Sequence, residues 1–229
     1  TEVRRFDCTD CHSKTPHEDS QLNKHVARLA CQTCHIPSFA RKYATKMEWD
    51  WSQAGDAKRK EDAHEYLKIK GAFEYDESVP PVYAWFNGKM ERYITGDKLT
   101  SEVEQAINQP LGSREDATAK IYPFKLHRAK QIYDPVNKVL IPPLTSGEGG
   151  YWTTFDWKTA AEKGMKAAGL PYSGEYGFIK TRMYWPINHM TAPVKRAVSC
   201  TDCHSSEGRM DWKALGYERD PVGGQAHGS

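Results

Sequence analysis

The chain has 229 residues, and its 32 Lys and Arg against 30 Asp and Glu leave a formal charge of +2, which excludes a strongly basic nucleic-acid binder. Hydrophobic residues make up only 38%, mean hydropathy is −0.76, and no apolar run approaches the roughly 18 residues of a membrane-spanning helix. Seven Trp, twelve Tyr and seven Phe argue against disorder, so the chain reads as folded but short of aliphatic core.

In chain order, a polar start over Thr1 to Asp7 runs straight into Cys8, Cys11 and His12, the first of three Cys-x-x-Cys-His units. Glu18 to Ala30 reads as a helix, because Leu22, Val26 and Leu29 fall on one face. The second unit is Cys31, Cys34 and His35. Ser52 to Leu67 is a further helical candidate, with a solvated charged run from Lys58 to Asp62. Val82 to Phe86, the turn pair Asn87-Gly88, and Lys89 to Ile94 have the pattern of a β-hairpin. Gln131 to Ile141 reads as another ribbon, broken by Pro135 and turning near Asn137. Thr145 to Gly150 lacks the Lys and spacing of a phosphate-binding loop and reads as a connector. Asp156 to Ala168 is the strongest helix outside the cysteine units, with Asp156 as N-cap and Gly169 as its stop. The third unit is Cys200, Cys203 and His204, and beyond Arg209 the chain thins towards Pro221 and a flexible tail over residues 221–229.

All six cysteines belong to these three units. On a helical turn, residues i, i+3 and i+4 share a face, so two thiols can reach one porphyrin edge while the adjacent imidazole lies under the iron. The pattern is the attachment signature of c-type haem. A zinc site is the competing reading, since the first two pairs fit a C-x2-C…C-x2-C spacing, but it leaves the pair at Cys200 without a partner. With nine His in 229 residues, chance places one after a given pair about 4% of the time, and after all three with a probability of roughly one in ten thousand. Thioredoxin-like and structural disulfide readings fit less well. Three covalent haems c are therefore expected, supplying apolar bulk that the composition lacks and, through their propionates, adding negative charge to the +2 polypeptide.

Six-coordinate irons need a second ligand each. His17, His25, His127 and His189 are the leading candidates, the last two for their aromatic and proline-rich neighbours; His64 and His227 rank lower, and Met190 is the one competing methionine. Because c-haem is attached outside the cytoplasmic membrane, a periplasmic or extracellular location is expected. The absence of an apolar leader before Cys8 fits either a processed signal or a segment of a longer exported chain.

The strings LNKHVARLACQTCHIP ending at Pro37, MEWDWSQAG from Met47, IYPFKLHRAKQIYDPVNK from Ile121, GMKAAGLPYSGEY from Gly164 and MYWPINHM from Met183 resemble the octahaem tetrathionate reductase family of multihaem cytochromes c. The likeness runs from about Phe6 to Trp212 and corresponds to the family's C-terminal part. It implies a mainly α fold with long irregular segments and short β-hairpins, a single multihaem domain over residues 1–220 organised around stacked haems, and mostly bis-His ligation. It also implies that His17, His25, His127 and His189 are axial ligands, with one of them serving a haem outside this segment. The family carries eight attachment motifs and this chain three, and the lysine-ligated active haem lies in a part with no counterpart here. Two functions follow: electron transfer between redox partner proteins or further haem domains, or participation in an octahaem-type reductase acting on small sulfur or nitrogen substrates such as tetrathionate, nitrite or hydroxylamine.

Overall fold

The computed structural model of the protein describes residues 7–222. Its centre is one mixed sheet of nine strands: β1 (Thr45–Asp50), β2 (Tyr66–Leu67), β3 (Gly71–Asp76), β4 (Val82–Phe86), β5 (Met90–Arg92), β6 (Glu104–Pro110), β7 (Lys120–Asp134), β8 (Val139–Leu140) and β9 (Gly177–Pro186). The main path runs β2-β3-β1-β7-β9-β6-β5, with β4 and β8 also paired to β7. Helices are short: α1 (Ser20–His25), α2 (Cys31–His35), α3 (Tyr151–Thr154), α4 (Trp157–Ala167) and α5 (Cys200–Cys203). None is long and apolar enough to cross a membrane among the described residues.

The expected mainly α fold with short hairpins is corrected. Helix accounts for 18% of the chain and strand for 28%. The reason lies in β7, whose 15 residues carry one edge paired in turn with β4, β1 and β8 while the other runs antiparallel to β9 from Phe124↔Pro186 to Tyr133↔Gly177. Its stretch Lys120 to Asp134 is rich in β-branched and aromatic residues, which suit a pleated surface packed on a core. The cysteine units, by contrast, occupy helices or helical turns of three to five residues. They need only one turn to align two thiols and an imidazole.

Three local expectations change. Glu18 to Ala30 is helical only over α1, where Asp19 caps the backbone N–H of Gln21 and Leu22; past His25 the chain turns into a parallel bridge between Leu29 and Ile121. Ser52 to Leu67 is not a helix but a single 3-10 turn, Trp51–Gln53, followed by irregular chain and β2. Asn87-Gly88, with Gly88 at φ 88°, is a bend and not a hairpin turn: Asn87 N–H donates to Leu111 O, Leu111 N–H donates to Lys89 O, and β4 and β5 do not pair with each other. β4 pairs with β7 and β5 with β6, because long-range partners outcompete the local hairpin.

The ribbon around Asn137 forms as expected, β7 pairing with β8 across Tyr133↔Leu140. So does α4, capped by Asp156 and ended at Gly169 with φ 67°. Its buried residues Trp157, Ala160, Ala161, Gly164 and Met165 recur at helical spacing and close a core with Ile132, Val139, Ile141 and Tyr151. The shortage of aliphatics is met by rings: Tyr66, Tyr151 and Phe124 lead the fully buried side chains, and Tyr151 stacks on Trp157 at 3.7 Å.

Candidate functional site

The three cysteine units gather beside the start of β7. Thr33 of α2 is buried and donates its hydroxyl to the Ile121 carbonyl at 2.7 Å, while the backbone N–H of Ala30 donates to the same oxygen at 3.0 Å. The C-terminal segment folds back onto this unit: Val198 N–H donates to Cys34 O at 2.9 Å and Ala192 N–H to His35 O at 2.8 Å. Arg209 locks the junction by donating to the Pro37 carbonyl at 2.9 Å, and the Trp85 indole donates to Leu215 O at 2.8 Å. The stretch after Arg209 is thus packed, not thinned, with Met210 and Leu215 buried; residues 223–229, including His227 and most of the expected tail, lie outside the described residues, as does Thr1 to Phe6.

The cysteines of neighbouring units approach one another. Burial pushes the Cys8 thiol up, and so does Cys31, to which it is hydrogen-bonded. Burial likewise raises Cys34, next to Cys31 and Cys200, and lifts Cys203 to about 11 beside Cys34. These surroundings disfavour the thiolates a zinc site needs but tolerate an uncharged thioether.

The histidines meet in pairs. His17 and His35 have ring centres 6.2 Å apart with planes at 5°; His25 and His204 stand at 6.3 Å and 31°. A metal–imidazole bond of about 2.0 Å, with the ring centre roughly 1.2 Å behind the nitrogen, puts two trans imidazoles about 6.4 Å apart. Both pairs match the span across one iron. Among the described residues no group of three or more His, Cys, Asp or Glu converges as a metal site; paired imidazoles beside paired cysteines are the donor set that c-type haem takes. Burial and the facing imidazole, His204 for His25 and first His17 for His35, hold both pKa values down, which favours the neutral rings that ligate.

The remaining candidates are not brought into such pairs. His12 is exposed, near His35 but, among the described residues, with no ring partner. His127 sits half-buried on β7 opposite Met183; burial first, then Lys125 and Lys46, depresses its pKa to about 4. His189 is exposed beyond β9, beside Met190, whose carbonyl accepts from Arg41. His64 packs edge-on against Tyr75 at 4.9 Å.

His204 has two neighbours, Asp220 and Trp212, that carry no local sequence signal. Its Nδ1 lies 2.7 Å from Asp220 Oδ1, and Trp212 stacks on the ring at 5.2 Å and 18°. They follow it by eight and sixteen positions without a recognisable motif, so only the fold reveals them.

Comparisons with known proteins agree with this arrangement. Residues 46–207 match the family model described as cytochrome c, bacterial. The crystal structure of octaheme cytochrome c from Shewanella oneidensis is similar at a TM-score of 0.88 and 48% identity, over 95% of this chain and 52% of that one. The chain thus spans about half the length of that relative. No curated protein matches significantly. The Cys-x-x-Cys-His units, the paired imidazoles and these similarities together place the chain in the bacterial cytochrome c family, among the octahaem-type multihaem cytochromes that hold c-type haem covalently.

Proposed function

We propose that this chain holds three haems c and serves as an electron-transfer unit. Cys8 and Cys11, Cys31 and Cys34, and Cys200 and Cys203 are the thioether attachment pairs, with His12, His35 and His204 as proximal ligands. The observation that carries the reading is the pair of 6.2 and 6.3 Å imidazole spacings, which supports His17 as the ligand opposite His35 and His25 as the one opposite His204. Bound haem supplies a reversible one-electron iron couple. The polypeptide's part would be to hold each of these irons between two imidazoles, which would leave no position for substrate, and to keep the sites adjacent through the backbone bonds that tie α5's approach to α2. His127 and His189 have no imidazole partner among the described residues and are assigned to the iron above His12 and to a haem beyond this chain.

A second reading has its own support. Spanning 52% of an octahaem relative while carrying three attachment motifs suits one part of a reductase acting on tetrathionate, nitrite or hydroxylamine, with redox partner proteins or further haem domains completing it. Either role implies a periplasmic or extracellular setting.

The test is the matured protein. Intact mass is expected to show three haem additions, and low-temperature EPR of the oxidised form to show low-spin iron at the two paired sites. His17→Ala is expected to convert one haem to high spin. Predominantly high-spin wild-type iron, or a His17→Ala spectrum identical to wild type, would sink the electron-wire assignment.

A further inference from the structure

Resting on the haem assignment above, we infer that Asp220 is a positioning residue that makes the His25/His204 site the lower-potential member of the two paired sites. Asp220 Oδ1 lies 2.7 Å from His204 Nδ1, and both side chains are about four-fifths buried, at 19% and 20% exposure. The same oxygen accepts the Val222 N–H at 2.9 Å, so the carboxylate is held in place by its own turn. Trp212 covers one ring face, and this stack and the hydrogen bond together fix the plane of the imidazole.

The tautomer follows from the contact. With Nδ1–H donating to the carboxylate, the lone pair is left on Nε2, the nitrogen that remains available to a metal. A carboxylate acceptor draws the Nδ1 proton towards itself and raises the electron density at Nε2. The ferric state gains more from a stronger donor than the ferrous state does, so the potential falls. The His17/His35 site has no such acceptor: among the described residues neither ring nitrogen of His35 is hydrogen-bonded, and His17 Nδ1 is buried without a partner. Two sites with the same axial ligands are therefore made unequal by one second-layer carboxylate. An electron shared between them rests at the His17/His35 iron, and the His25/His204 iron is the stronger donor.

Spectroelectrochemical titration of the matured wild type, Asp220→Asn, Asp220→Ala and Asp220→Glu tests this, with haem content by pyridine haemochrome as the loading control. Asp220→Asn is expected to shift the ferric/ferrous equilibrium of one step roughly tenfold towards ferrous, about 59 mV for a one-electron couple, leaving the other steps in place. Asp220→Ala is expected to shift the same step further and Asp220→Glu to restore it. Fully loaded variants in which every step stays put, or in which all steps move together, would overturn the inference. If Asp220→Ala fails to load, the isosteric Asn variant decides. Wild-type protein that carries no covalent haem would instead overturn the haem assignment, and this inference with it.

Discussion

Asp134 is fully buried, yet its surroundings favour the anion. Its oxygens accept from the backbone N–H of Val136, Asn137 and Ser173, from the Asn137 amide and from the Ser173 hydroxyl, all between 2.8 and 3.0 Å. Burial pushes its pKa up, but the N–H donors of Asn137 and Ser173 outweigh burial, and the net value falls below the usual carboxylate range. Because the folded pKa is the lower one, this stabilisation is fully present above the unfolded value near 4 and is lost as pH falls from there through the lower folded value. Asp134→Ala strands five donors and is expected to cost about 3 kcal/mol, a drop of roughly 10 °C in Tm at neutral pH. The difference from wild type is expected to shrink below about pH 4, a trend that pH-dependent thermal denaturation would measure. A Tm unchanged at pH 7 would contradict it. At the same scale, His17, His25, His35 and His204 were all legible as candidates from residue type and neighbourhood. Which imidazole faces which was not: His17 and His35 meet through the fold of the first two units, and His25 meets His204 only when the third unit folds back from far along the chain.

Helix α4 shows how close approach limits composition at the level of an element. Gly164 lies on its buried face, where an added Cβ would meet Pro142 O at 2.0 Å and Leu144 N at 2.7 Å. Alanine gains about 1 kcal/mol of helix propensity, but the obstacle is backbone and cannot rotate away, so Gly164→Ala is expected to destabilise by about 2 kcal/mol net. Urea denaturation checks the sign, and a stabilised variant would mean that the loop over Pro142 shifts freely. The N-cap of the same helix is the milder lever: Asp156 accepts from Lys158 N–H at 2.9 Å, and Asp156→Ala is expected to cost about 1 kcal/mol. α4 was readable beforehand because its cap, apolar period and stop agree with one another. Ser52 to Leu67 misled because a charged run satisfies helical propensity without an apolar face to bury, and propensity alone does not hold a helix. Val82 to Ile94 misled differently. The strands fall within the expected ranges, but Asn87-Gly88 only bends the chain, and the partners are β7 and β6, chosen by packing over tens of residues.

For the molecule as a whole, two kinds of core coexist. The α4–β7–β8 core of Ile132, Ile141, Tyr151, Trp157 and Met165 stands apart from the cysteine units, whereas the cluster of Tyr83, Trp85, Ile121, Met210 and Leu215 includes Cys203 itself. Withholding haem is therefore expected to affect them unequally. In apoprotein produced without c-haem maturation, amide exchange of β7 and β9 is expected to stay slow around Gln131 to Tyr133, while α2, α5 and residues 205–222 exchange far faster than in the matured protein. Uniform loss of protection would mean that the sheet has no stability of its own. The +2 formal charge is likewise a property of the polypeptide and changes once propionates are added.

What the amino-acid order determines by itself is the covalent chemistry. Cys-x-x-Cys-His needs no distant residue to be recognised, since one helical turn sets the positions of two thiols and an imidazole. The deficit of aliphatics and abundance of rings are equally plain from composition. The tertiary structure alone decides the rest: that the framework is a sheet rather than a bundle, that His17 faces His35 and His25 faces His204, and that Asp220 reaches His204. Each of these depends on contacts between residues remote along the chain, whose formation is governed by which surfaces can be buried together, and that is not encoded in any local spacing.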